Sequence, residues 1–203
     1  ASHEPEVVHL AKFLRESGAE IEGEGTDIIR VIGKEKLTPP DGFENIPDRI
    51  EAGTFAVMGI ATRGEISMHA DVQQFLPTFI EKLEETGAKI SNDGTRLVFS
   101  ADDRPLPVNI ITSPYPGFPT DLQPIFMALL TVAKGTSLIK EEIFPDRFKH
   151  AYELVRMGAN IIVEGNTAVV HGVSELKSAP VMASDIRAGA SLVIAGLMAR
   201  GRT

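Results

Sequence analysis

Residues 154–172 read LVRMGANIIVEGNTAVVHG, and the same pattern occurs twice earlier, as KLEETGAKISNDGTRLVFS at 82–100 and FLRESGAEIEGEGTDIIRVIG at 13–33. In each, apolar residues at helical spacing run up to a Gly-Ala pair. Glycine suits the residue just past a helix, because it enters the left-handed region without steric cost. A short strand-like stretch follows, then a turn (EGEGT, NDGT, EGNT), then a β-branched stretch, which together spell a hairpin. The three glycines, Gly18, Gly87 and Gly158, stand about 70 residues apart, and self-similarity at a fixed period marks an architecture of repeated units.

A second element alternates with the first. It reads DRIEAGTFAVMGIATRGEI at 48–66, DLQPIFMALLTVAKGTSLI at 121–139 and DIRAGASLVIAGLMARGRT at 185–203. Each copy opens on an aspartate, a residue that can accept backbone N–H bonds at a helix start and favours the positive end of the helix dipole. Each continues as a helix rich in small residues and apolar nearly all round, which predicts burial. The first two copies then pass through glycine into a strand, GEISMH (64–69) and GTSLIKEE (135–142). Further strands, PVNIIT (107–112) and APVMAS (179–184), are expected to lead into the next aspartate. The sum is a βαβαββ unit, an α/β (α+β) arrangement. The chain begins inside one unit and ends inside another, so it is expected to be part of a longer protein, with LTPPDGFENIP (37–47) as the junction between domains.

Composition narrows the function. The 203 residues are 43% hydrophobic and 24% charged, ample for a core, and the net charge of −8 argues against binding to nucleic acid or to an anionic membrane surface. There is no cysteine, hence no disulfide framework or thiol nucleophile here, and the 5 histidines lack ligand spacing, so no metal site is expected. The longest apolar run, SLVIAGLMA (191–199), is too short to span a bilayer, and a cytoplasmic protein is the expectation.

One loop stands apart. PYPGFPTDLQ (114–123) places three prolines and a glycine just ahead of Asp121. Such a loop has few conformations and can hold one side chain still. From the residues alone, Asp121 is either a helix cap or a carboxylate presented for chemistry. Arg147, in IFPDRFKH, is either a surface partner of Asp146 or a fork for a carboxylate or phosphate. Asp185 and Arg187 read as a cap with an ion pair, or as site residues. Asp48 and Glu51 open the first of the buried helices and read as structural positions. Ile143 reads as core, and His150 as a structural histidine at a helix start.

These stretches, with EPEVVHLAKFLRESGAEI, PDRIEAGTF, EEIFPDRFKHAYELVRMGA and MASDIRAGASLVIAG, resemble the UDP-N-acetylglucosamine enolpyruvyl transferase (UDP-N-acetylglucosamine 1-carboxyvinyltransferase) family over essentially the whole chain. The resemblance implies an inside-out α/β barrel of repeated βαβαββ units, with buried helices and outer sheets and a site in the cleft between two domains. Residues 1–46 would be the last part of the first domain, and 47–203 most of the second. The implied reaction moves enolpyruvyl from phosphoenolpyruvate to the 3-hydroxyl of UDP-N-acetylglucosamine and releases phosphate, the first committed step of peptidoglycan synthesis. Asp121 would be the base at the sugar hydroxyl. Ile143 would contact the nucleotide sugar through its backbone, Arg147 would face phosphoenolpyruvate, and Asp185 and Arg187 would line the cleft. No metal or redox cofactor is implied. The family's lysine, its cysteine proton donor and several anion-binding arginines would sit elsewhere in the same polypeptide, so this stretch alone is expected to be inactive. A sister enzyme such as 5-enolpyruvylshikimate 3-phosphate synthase, and a non-catalytic nucleotide-sugar-binding or scaffold domain, are the rival readings.

Overall fold

The computed structural model describes residues 1–203. Its centre is three helices, α2 (Arg49–Ala61), α4 (Gln123–Leu130) and α6 (Ile186–Met198), which pack on one another. Every residue of α4 is buried, as the absence of a polar stripe in QPIFMALL requires. The close approach of α2 to the turn before α4 depends on a missing side chain. A Cβ on Gly53 would come within 2.5 Å of a Leu122 methyl.

Sheets and amphipathic helices wrap this centre. After α2 come β3 (Glu65–His69), a 3₁₀ turn, α3 (Pro77–Glu85), β4 (Lys89–Asn92) and β5 (Arg96–Ser100), with sheet order β3-β5-β4. After α4 come β7 (Thr136–Lys140), α5 (Lys149–Arg156), β8 (Asn160–Glu164) and β9 (Thr167–His171), joined by β6 (Ile110–Ile111) in the order β6-β7-β9-β8. All pairings are antiparallel except β6 with β7, the two strands that flank α4. The earliest unit supplies α1 (Pro5–Glu16) and the hairpin β1 (Glu20–Glu22) and β2 (Arg30–Ile32). The repeat is thus real in three dimensions, and its three helix-ending glycines share the left-handed region at φ +100°, +84° and +89°. Inward positions alternate along the strands: Leu97 and Phe99, Ser137 and Ile139, Ala168 and Val170 are buried.

The expected strands ahead of the aspartates are only partly formed. PVNIIT contributes just Ile110–Ile111, and 179–184 form no strand. β6 exists because β7 offers it a parallel ladder; no strand follows α6 within these residues to do the same for 179–184.

All 36 residues of the main apolar core lie at or after Ile50. The linker between β2 and α2 folds back on α1 instead, with Phe43 against Phe13 (5.1 Å between ring centroids) and His9 (4.8 Å). Arg49 ties the two parts together. Nearly buried, it donates to both carboxylate oxygens of Glu6 at 2.8 and 3.2 Å and lies 5.6 Å from the ring of Tyr115. No helix is long and apolar enough to cross a membrane.

The turn from β9 runs against the end of α4: a Cβ on Gly172 would stand 1.9 Å from the Ala133 carbonyl oxygen. Backbone cannot yield as a side chain can. Gly172→Ala is expected to lower stability by about 1–3 kcal/mol, measured by urea unfolding.

Candidate active site

The starts of the buried helices show which aspartates are caps. Asp48 accepts from the N–H groups of Ile50 and Glu51 at 2.9 and 3.0 Å, and Asp185 from those of Arg187 and Ala188, both at 2.9 Å. Asp121 does neither. It sits in a 3₁₀ turn, Thr120–Leu122, and α4 starts at Gln123 with no side-chain cap. Of the two readings that the residues left open for Asp121, the helix cap is therefore not formed. Pro124 at the first turn of α4 lacks the N–H that a cap would satisfy.

Asp121 points instead at two guanidinium groups. Arg147 Nη2 donates to Oδ1 at 2.7 Å, and Arg187 Nη2 lies 3.5 Å from Oδ2. Arg147 does not pair with Asp146, and Arg187 pairs across to Asp121 while only its backbone N–H serves Asp185. The three groups come from three places: the stiff loop, the segment between β7 and α5, and the start of α6. The tight bond at Oδ1 fixes the carboxylate, whereas the long contact at Oδ2 leaves lone-pair capacity for a ligand hydroxyl.

The loop that carries Asp121 is anchored by Phe118 as well as by its prolines. Phe118 is buried, 5.7 Å from Phe79 and 5.3 Å from Phe126 between ring centroids. Its carbonyl accepts from Ser113 N–H at 3.1 Å, and Thr78 donates to the Pro116 carbonyl at 2.7 Å.

Asp121 lies where two clefts adjoin. One, of about 1080 Å³, runs between α1 with its linker and the starts of α2 and α6, and is lined by Glu6, Asp48, Arg49, Asp121 and Arg187 among others. The second, about 510 Å³, includes Tyr115, Thr120, Asp121 and Ile143. Ile143 is half-buried rather than core. Its N–H is given to Glu141, and its carbonyl accepts no hydrogen bond within the chain. Glu51 is exposed on the first turn of α2 and lines neither cleft.

Arg147, His150 and Asp185 share a third hollow, of about 450 Å³, and neither Arg147 nor Asp185 lines the first two. The Ala188 N–H bond above all, with the Ser184 hydroxyl and the Arg187 N–H, holds the Asp185 carboxyl below its usual value against the opposing effect of burial. His150 is buried, its Nε2 has no hydrogen-bond partner, and burial lowers its pKa to about 4 despite the attraction of Asp185.

Four residues of the cleft walls and their support carried no functional reading in the sequence: Glu6, Arg49, Thr120 and Glu141. Glu141 had a signal. The alternation that buries Ser137 and Ile139 continues to position 141, so TSLIKE places an acid on the inward face of its strand.

The profile of the EPSP synthase (3-phosphoshikimate 1-carboxyvinyltransferase) family matches residues 1–203. The chain belongs to that family. It is 52% identical over its whole length to the UDP-N-acetylglucosamine 1-carboxyvinyltransferase of Thermodesulfovibrio yellowstonii, covering 49% of that protein, and 49% identical to the one from Geobacter metallireducens, covering 48%. The chain thus spans about half the length of the curated relatives it matches. Among solved structures, the enolpyruvyl transferase NikO from Streptomyces tendae superposes with a TM-score of 0.82 at 25% identity, over 97% of this chain and 48% of that one. EPSP synthase from Acinetobacter baumannii superposes at 0.64 and 19% identity, over 94% and 47%, a likeness of fold. The inside-out α/β architecture implied by the resemblance is therefore that of this chain.

Asp48→Ala removes a helix cap and is expected to cost about 1 kcal/mol, whereas Asp121→Asn removes none and should change stability by less than about 0.5 kcal/mol in urea unfolding. His150 stays neutral in the fold at a pH where the unfolded chain takes up a proton. Its contribution is therefore complete above the unfolded value of 6.5 and lost as pH falls toward its folded value of about 4. His150→Gln should flatten the melting-temperature profile in that window and leave the profile above pH 7 parallel to the parent.

Proposed function

We propose that this chain is part of a cytoplasmic two-domain enzyme that transfers enolpyruvyl from phosphoenolpyruvate to the 3-hydroxyl of UDP-N-acetylglucosamine. In this reading residues 1–46 close the first domain, 47–203 form most of the second, and the remainder of the same polypeptide completes the site. The observation that carries it is Asp121: a carboxylate released from capping, pinned at one oxygen, and presented at the junction of two clefts. The relatives at about half identity bear the name of this activity.

Each residue has a chemical task in this reading. A sugar hydroxyl is a poor nucleophile until its proton has a destination, and Asp121 Oδ2 accepts it as the oxygen attacks C2 of phosphoenolpyruvate. The C3 methylene then takes a proton from an acid supplied by the rest of the polypeptide, giving a tetrahedral adduct. Loss of a C3 proton and departure of phosphate regenerate the double bond. Arg147, whose guanidinium is already oriented by two bonds on this chain, balances the anionic charge of phosphoenolpyruvate, and Arg187 shares that load from the start of α6. The carbonyl of Ile143 is the backbone group left to accept from the nucleotide sugar. Asp185 sets the α6 terminus and so the place of Arg187.

The test is turnover of the complete protein with phosphoenolpyruvate and UDP-N-acetylglucosamine. Asp121→Ala should lower kcat by about 10²-fold or more with near-normal folding, and near-normal turnover would remove the base assignment. Activity with shikimate 3-phosphate in place of the nucleotide sugar would favour the sister reaction, and no turnover with either alcohol would favour a binding domain.

A further inference from the structure

Glu141 is fully buried just past the end of β7, and four donors converge on it. Oε1 accepts from the Thr112 hydroxyl at 2.6 Å and from the N–H groups of Ile143 and Phe144, both at 3.0 Å. Oε2 accepts from the Thr120 hydroxyl at 3.0 Å. A carboxylate that only accepts can satisfy all four at once, whereas an amide of the same shape must set a donor against a donor somewhere. Thr120 has a single hydroxyl proton, and it is committed to Glu141. Its lone pairs are therefore turned toward Arg147, whose Nη1 donates to it at 2.9 Å. The same guanidinium reaches Asp121 with Nη2 at 2.7 Å. Arginine only donates and a carboxylate only accepts, so the chain Arg147 to Thr120 to Glu141 runs in one direction, fixed at both ends.

From this geometry we infer that Glu141 is the positioning residue of the site. Through the Thr120 hydroxyl it fixes the plane of the Arg147 guanidinium against Asp121, and through two backbone bonds it holds the Ile143 segment. It touches neither cleft. Its charge strengthens Thr120 as an acceptor, and a guanidinium held at both nitrogens keeps one orientation rather than sweeping through several. This inference rests on the proposed function for its kinetic consequence, but not for its structural one.

A double-mutant cycle on the complete protein tests it. Glu141→Gln and Thr120→Val, the second nearly isosteric, should each lower kcat/KM by about 10- to 100-fold, the scale of a displaced catalytic group. If they act through one relay, the double variant should be no slower than the slower single variant, and Thr120→Ser should recover most of the loss. A second readout needs no catalysis. The Arg147 Nη protons, assigned with Arg147→Lys, should show slow guanidinium rotation by NMR in the parent and fast rotation in both single variants. Should Glu141→Gln fail to fold, the Thr120→Val and Thr120→Ser pair carries both readouts. Multiplying kinetic effects, unchanged turnover in Thr120→Val, or a guanidinium that stays slow in the variants would each overturn the inference. A protein without transferase activity whose Arg147 still loosens in both variants would support the positioning role and remove the proposed function.

Discussion

A helix with no polar side can persist in water only if other elements enclose it, and this fold is organised around one such helix. α4, buried at every residue, sets the condition. α2 and α6 cover part of it and are themselves largely apolar, so sheets and amphipathic helices must close the remainder. That is why helices lie inside and strands outside, and why small residues such as Gly53 recur where helices approach closely. The periodic chain is a consequence: no single βαβαββ unit can bury its own central helix, and neighbours do it for each other.

The same constraint sets the place of the candidate site. The starts of these helices stay accessible: the first turns of α2 and α6 and the turn before α4 meet the α1 segment around one cleft. At two of these starts an aspartate is used up in capping. At the third, proline takes over part of that role, and the carboxylate is left to face Arg147 and Arg187. Equivalent positions of the repeat differ by the two backbone bonds that Asp48 and Asp185 each accept and Asp121 does not. Glu141 and Thr120 then supply, from the adjoining strand and loop, the rigidity that a surface ion pair lacks.

Much of this was readable from the residues. The three Gly-Ala helix ends and three apolar helices carry strong local signals in glycine chemistry and hydrophobic period, and the units fold as they imply. The site was less readable. Asp121 looked like its capping counterparts because a cap is recognised by position, and only the backbone shows whether the N–H bonds are made. Arg147 has a carboxylate neighbour in sequence, Asp146, but pairs with one that only tertiary folding brings near. Residues 179–184 have the composition of a strand but no ladder to join, and strand formation is decided by partners. Arg49 and Glu6 were invisible as a pair because 43 positions separate them.

The wide spacing of the site in the chain has a consequence for how the protein is made. Arg147 lies 26 positions after Asp121 and Arg187 66 positions after it. The carboxylate and Arg147 precede α6 in the chain, and the second cation is in place only when the start of α6 docks against α4. Long-range contacts of this kind form late, since the intervening loop must be closed before they repay its entropy. Assembly of the Asp121–Arg187 contact therefore marks completion of the helical centre, and a nascent or damaged chain that has not packed α6 holds an incomplete site.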